Sequence, residues 1–144
     1  MSDTNYHLRV CAVIRRVPDE LLVVSEQFRG EERLNLPGGA PHYGETLQAA
    51  VVREVLEETG YAVNPGEIAY VAEHRQERWD DIAVEICFYA DVRTVPDKRP
   101  LSEVTDVHWL PLNDPRLLAA IPGAAYFANS ARGRYFTNSS KDAL

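Results

Sequence analysis

Residues 46–59 contain neither proline nor glycine, consist mostly of good helix formers, and run directly into Gly60, where a helix stop is expected. Thr46 supplies an N-cap, with Glu45 beside it. At about 100° per residue, such a helix places Val51, Val52, Val55 and Leu56 on one side, which belongs to a core. It also gathers Glu54, Glu57 and Glu58 in an arc of about 100° bordering that side. The acidic arc is unfavourable twice over. Glu54 and Glu58 are like charges one turn apart, and Glu57 and Glu58 stand at the negative end of the helix dipole. Each effect is worth only about a few tenths of a kcal/mol. Taken alone, the acidic run reads as a solvated face. A bound divalent cation would reverse both penalties, and departures from local rules gather at functional sites.

The residues in front of the helix sharpen the choice. Leu36-Pro37-Gly38-Gly39 is a backbone segment that side chains barely encumber. Counted from Gly39, the chain has five residues, Glu45, seven residues, and then Arg53-Glu54-Val55-Leu56-Glu57-Glu58-Thr59-Gly60-Tyr61. This resembles the Nudix box, G-x5-E-x7-R-E-U-x-E-E-x-G-U, where U is a bulky aliphatic residue. Every glycine, acidic and arginine position is matched in register. Tyr61, an aromatic at the last U, departs from the pattern in a way that bears on packing behind the helix. The Leu36 to Gly39 lead-in is the family's usual one, and Trp109-Leu110-Pro111-Leu112 resembles its last strand.

The resemblance implies an α/β fold, the MutT-like Nudix α/β/α sandwich with a mixed β-sheet between helices. It implies hydrolysis of a pyrophosphate bond in a nucleoside diphosphate derivative by a metal-activated water. Glu57 and Glu58 are then the principal ligands of Mg2+, with Mn2+ as a substitute. Glu54 contributes to metal binding or activates the water, and the carbonyl of Gly38 can complete the site. Magnesium suits a carboxylate patch because it prefers oxygen ligands and binds through a few carboxylates together with substrate phosphates. Arg53, four residues before Glu57, orients that carboxylate. Glu45 steadies the loop and Arg53, while Gly39 and Gly60 support the backbone. Family members differ in their catalytic base, and several use a glutamate before the last strand. Glu103, six residues before Trp109, stands beside Glu54 as the second candidate, with Asp106 close by.

Substrate selection in this family lies outside the box. Phe28, Arg29, Arg33, Arg75, Arg78 and Trp79 fall in segments that read as loops and are natural base and phosphate contacts. Ordinary packing or exposure is the plain alternative for each. No proline lies between Pro65 and Pro96, where many ADP-ribose enzymes of the family carry one. No tyrosine lies between Tyr70 and Tyr89, where diadenosine polyphosphate enzymes often have theirs. The expectation leans to a free nucleoside triphosphate or another small nucleotide. A net charge of -7 repels a long polyanion and argues against nucleic acid as a partner, and so against the alternative of an RNA 5′ pyrophosphohydrolase. A non-catalytic nucleotide-binding module is a further alternative, against which every box glutamate is present. A homodimer is compatible with the family.

The remainder reads as one domain over residues 1–144, without repeats or linkers. No apolar run approaches the roughly 18 residues of a membrane span, and residues 1–7 are polar, so no membrane association and a cytoplasmic home are expected. Residues 8–14 and 20–24 read as strands paired in a hairpin, 27–34 as a loop, and 68–72 and 82–92 as strands joined by a polar loop. Pro65 and Gly66 precede the first of these two strands, residues 104–110 read as a strand, 111–120 as a turn into a short helix, and the polar tail from 130 is left unassigned. Cys11 and Cys87 sit in apolar runs and read as buried free thiols, with a disulfide as the alternative. His7, His42, His74 and His108 have no zinc-like spacing.

Overall fold

The computed structural model describes residues 5–16, 19–76, 81–94, 106–121 and 134–137. Residues 10–14 are apolar without a break and almost wholly buried, so the strand that carries them needs cover on both faces. That strand, β1 (Asn5–Val13), lies inside a five-stranded mixed sheet. It pairs in parallel with β7 (Asp81–Thr94) and antiparallel with the two-residue β5 (Gly38–Gly39). Beyond β7 come β6 (Ala62–Gln76), antiparallel to it, and β9 (Arg134–Thr137), parallel to β6.

A second sheet is built on β3 (Glu20–Phe28). It pairs with β2 (Arg15–Arg16), β4 (Glu31–Asn35) and β8 (Asp106–Pro111). The helix α1 (Leu47–Thr59) packs on β6, β1 and β5, and the short α2 (Pro115–Ala120) packs on β4. Two clusters form the core. One, under α1, joins Ala50, Val51 and Val55 to Val10, Ala12, Ile14 and Leu22. The other joins Cys11, Val13, Leu34, Leu36 and Tyr70 to Leu117 of α2. Each fully buried valine of α1 contributes about 1.5–3 kcal/mol to holding the helix on the sheet. The result is the mixed sheet with helices of an α/β/α sandwich. Among the described residues no helix is long and apolar enough to cross a membrane.

Both caps expected for α1 are present. The Thr46 hydroxyl accepts from the Ala49 N–H at 3.1 Å, and Gly60 takes up φ 78° while its N–H bonds to the Leu56 carbonyl. Other expectations need correction. The chain breaks sheet at Ile14, so residues 8–13 pair with β7 in place of the expected hairpin with residues 20–24, and Arg15 and Arg16 pair with β3. Residues 27–34 are not a loop. They complete β3 and most of β4 around a turn at Arg29 (φ 52°) and Gly30 (φ 79°), a geometry that suits a two-residue hairpin. The exposed charges of β4 that suggested a loop are tolerable on a strand facing solvent. Likewise β6 and β7 pair out to Gln76 and Asp81, and Pro65 and Gly66 lie within β6 at an irregularity in its register. Cys11 and Cys87 are not free thiols. The parallel register sets them opposite each other with Cα atoms 4.5 Å apart, and they are joined as a disulfide.

Candidate active site

The site is built where a backbone without side chains meets the start and end of α1. Gly38 pairs with Cys11 across β5 and β1 so closely that a Cβ on it would run into the Val10 carbonyl and lie 2.7 Å from the Cys11 Cα. A Cβ on Gly39 would lie 2.6 Å from the Glu54 carboxyl carbon. Both positions therefore need glycine for close approach, one against backbone and the other against a carboxylate. The Pro37 carbonyl is fixed by the Ala12 N–H at 2.9 Å. The segment is thus tied to β1 while it faces the helix.

Arg53 gathers the acidic residues, and the order of its contacts differs from the expectation. Its guanidinium meets Glu45 most closely, with Nε to Oε2 at 2.8 Å and Nη2 to Oε1 at 3.0 Å. Nη1 reaches Glu54 at 3.0 Å and the two Glu57 oxygens at 3.3 and 3.4 Å, while Nη2 also donates to the Ala40 carbonyl at 3.1 Å. Glu45 accepts in addition from the His42 N–H. The Arg53 hydrogen bonds, and then the His42 N–H, hold the Glu45 carboxyl down at a pKa of about 2. The same partnership, Glu45 first, raises the pKa of Arg53 and keeps it a cation. Arg53 therefore pins the loop before the helix to the helix itself, and its hold on Glu57 is the loosest of the three.

The three helical glutamates share a patch but not an environment. The Glu57 side chain is 51% exposed and that of Glu54 15%. Glu58 is buried, with Oε1 accepting from the Gly38 N–H at 3.4 Å and Oε2 buried without a hydrogen-bond partner. Burial pushes its pKa up to about 8, against the opposing pull of the Arg9 charge and the Gly38 N–H. A buried carboxylate oxygen with no donor, beside two further carboxylates, is a donor set that fits a hard divalent cation.

Other expected residues are more scattered. Arg29 is in the β3–β4 turn and Arg33 on β4, whereas Arg75 is on β6 in the other sheet. Phe28 ends β3, and its side chain is outside the described set. Glu103, Arg78 and Trp79 lie outside the described residues. A cavity of about 450 Å³ between β4 and α2 is lined by Arg33 together with Glu32, Asn35 and Arg116. Tyr61 packs edge-on against Trp109 at 5.8 Å and accepts from its indole N–H at 3.1 Å, which places the departure from the box pattern in packing behind the helix.

Sequence reasoning passed over a polar cluster beside the Leu36 to Gly38 segment. Arg9 of β1 faces Glu85 of β7 in register, with Nε to Oε2 at 3.2 Å, and its Nη2 donates to the Leu36 carbonyl at 2.9 Å. Glu85 also accepts from the Tyr70 hydroxyl at 2.6 Å and lies 3.7 Å from His74 Nε2. Against burial, the nearby His74 ring, the Tyr70 hydroxyl and the Arg9 charge together keep its pKa low. The signal was one charge in each of two apolar runs. Only the parallel pairing makes the two charges neighbours.

Residues 5–129 match the sequence profile of the NUDIX domain. Among solved structures, a NUDIX hydrolase from Nitrosomonas europaea is 26% identical with a TM-score of 0.76, over 89% of this chain and 93% of that one. A MutT protein from Methanosarcina mazei is 29% identical with a TM-score of 0.66, over 90% and 93%. An ADP-ribose pyrophosphatase from Streptococcus suis, 21% identical over 90% and 98% with a TM-score of 0.69, shares the fold. No curated protein matches the chain.

Proposed function

Since the chain belongs to the Nudix hydrolase family and is a pyrophosphohydrolase of that family, we propose that it cuts the pyrophosphate linkage of a small nucleotide with magnesium. Glu57, Glu58, Glu54 and the Gly38 carbonyl would hold the ion, with manganese as a substitute. The observation that carries this assignment is the buried Glu58 oxygen without a partner, set against Gly38 and two more glutamates. When bound, the cation supplies a water activated at neutral pH and neutralises charge on the phosphates.

The chain's own residues do the rest. Arg53, braced by Glu45, fixes the carboxylates of Glu54 and Glu57 relative to the Gly39 backbone. Glu54, against Gly39, takes the proton of the attacking water, or Glu103 does so from the segment before β8. The substrate class is a nucleoside diphosphate derivative, with a free nucleoside triphosphate favoured. The ADP-ribose pyrophosphatase of the same fold points to small nucleotides generally. The cavity at β4 and α2 has the volume of a small-molecule site and offers Arg33 and Asn35 to such a ligand.

The test is product release from nucleoside triphosphates, nucleotide sugars, dinucleoside polyphosphates and triphosphorylated RNA, with magnesium and then with chelator. Turnover of one small-nucleotide class that chelator abolishes is expected. Glu57→Gln and Glu58→Gln should each lower it by at least roughly 10²-fold. Near-normal turnover in both variants would remove these glutamates from the chemistry.

A further inference from the structure

Arg9 of β1 and Glu85 of β7 face each other across the parallel pairing, and each is largely covered, with side-chain exposures of 32% and 14%. Placing a charge there is costly unless it is paired and hydrogen-bonded, so the pair needs a reason beyond stability. The contacts supply one. Arg9 spends its Nε on Glu85 and its Nη2 on the Leu36 carbonyl, two residues before Gly38. Glu85 in turn is held from β6 by Tyr70 and His74. A rigid fork thus reaches from the middle of the sheet to the strand-like segment whose next residues pair with β1 and meet the helix.

The Leu36 to Gly39 segment has few other restraints of this kind. The Ala12 N–H holds the Pro37 carbonyl and β1 pairs with Gly38 and Gly39, which fixes the segment along β1. The Arg9 bond adds an anchor at Leu36, just before that pairing begins, and it runs through a side chain with a fixed planar geometry. The geometry points to Arg9, braced by Glu85, as a positioning residue that sets the Gly38 backbone against Glu58 and so tunes the affinity of the site for its divalent cation. This rests on the metal assignment made above.

Mn2+ binding, read by electron paramagnetic resonance without nucleotide, tests it in the intact chain. Arg9→Met is expected to weaken binding by about tenfold, the lower end for a group that orients a metal ligand from behind. Arg9→Lys, whose ammonium keeps the charge without the fork, should recover only part of the loss. Glu85→Gln should weaken binding in the same direction, and Arg9→Met with Glu85→Gln should be no weaker than Arg9→Met alone, because the two act as one unit. Thermal melts of each variant report folding, and Arg9→Lys with Glu85→Gln carry the test if Arg9→Met does not fold. Nucleotide KM at saturating metal should stay within about twofold of the parent.

Two results overturn the proposal. One is parental Mn2+ affinity in the Arg9 and Glu85 variants. The other is a deficit confined to KM at saturating metal, which would make Arg9 a substrate contact. Glu57→Gln and Glu58→Gln are run alongside. If those bind Mn2+ normally, the metal assignment itself falls; if they lose the ion while the Arg9 variants keep it, only the positioning role does.

Discussion

Glu58 differs from Glu54 and Glu57 in where its proton sits. Burial raises its pKa from 4.5 to about 8 in the metal-free protein, so between those values the folded chain keeps a proton that the unfolded chain has lost. By linkage, this group's contribution to stability falls as pH rises from 4.5 to about 8. Glu45 has the opposite sign. Its pKa is depressed to about 2, so its contribution is present above 4.5 and is lost as pH falls toward 2. A cation that takes the Glu58 carboxylate must displace the Glu58 proton below about pH 8. Mn2+ affinity should therefore climb with pH, by up to about tenfold per unit, and level off above about pH 8, with one proton released per ion on the acid side. Titrations of Mn2+ across that range check this, and Glu58→Gln should flatten the slope. An equally steep slope in that variant would assign the proton elsewhere.

At the scale of the element, α1 is capped at both ends, and only one of its caps adjoins the proposed site. Thr46 caps the N-terminus, about three turns from Glu57 and Glu58, whereas Gly60 lies just beyond them after Thr59. Thr46→Ala should cost about 1 kcal/mol in urea unfolding and leave turnover unchanged at a temperature where the protein stays folded. Gly60→Ala should cost about the same or more, because φ 78° is strained for alanine, and it should also lower turnover by disturbing the last turn. Equal activity in the two variants would mean that the cap does not position the glutamates. This helix was legible because its signals are local: a capping threonine, an unbroken run and a glycine stop. The strands were less so. Residues 27–34 look like a loop because their charges face solvent on β4, and residues 8–14 look like half a hairpin because alternation alone does not reveal that residues 10–14 are covered on both faces.

For the whole molecule, an ion held by the glutamate patch as proposed would add to the stability of the fold. Any ligand that binds only the folded state adds RT ln(1 + [L]/Kd), or about 2.7 kcal/mol at a hundredfold excess over Kd. For a domain of 144 residues this corresponds to a rise of roughly 8 °C in Tm on adding magnesium to chelator-treated protein. Differential scanning calorimetry should show that rise in the parent and not in Glu57→Gln with Glu58→Gln. An unchanged parent Tm would mean that the ion is not held without substrate. The same scale explains what the sequence concealed. The box is contiguous from Gly39 to Tyr61, so its carboxylates could be grouped by counting along one helix. Arg9 with Glu85, and Cys11 with Cys87, meet only through the register of two strands distant in the chain.

That parallel pairing also orders the protein's birth. Every box residue lies between β1 and β7 and leaves the ribosome before β7 does. The helix and its glutamates can exist on a nascent chain that still has no Glu85 with which to brace Arg9. On the assignment proposed above, the Leu36 to Gly39 segment gains its Arg9 brace only once β7 has been translated, so the site would be finished by residues well beyond the segment that carries its glutamates.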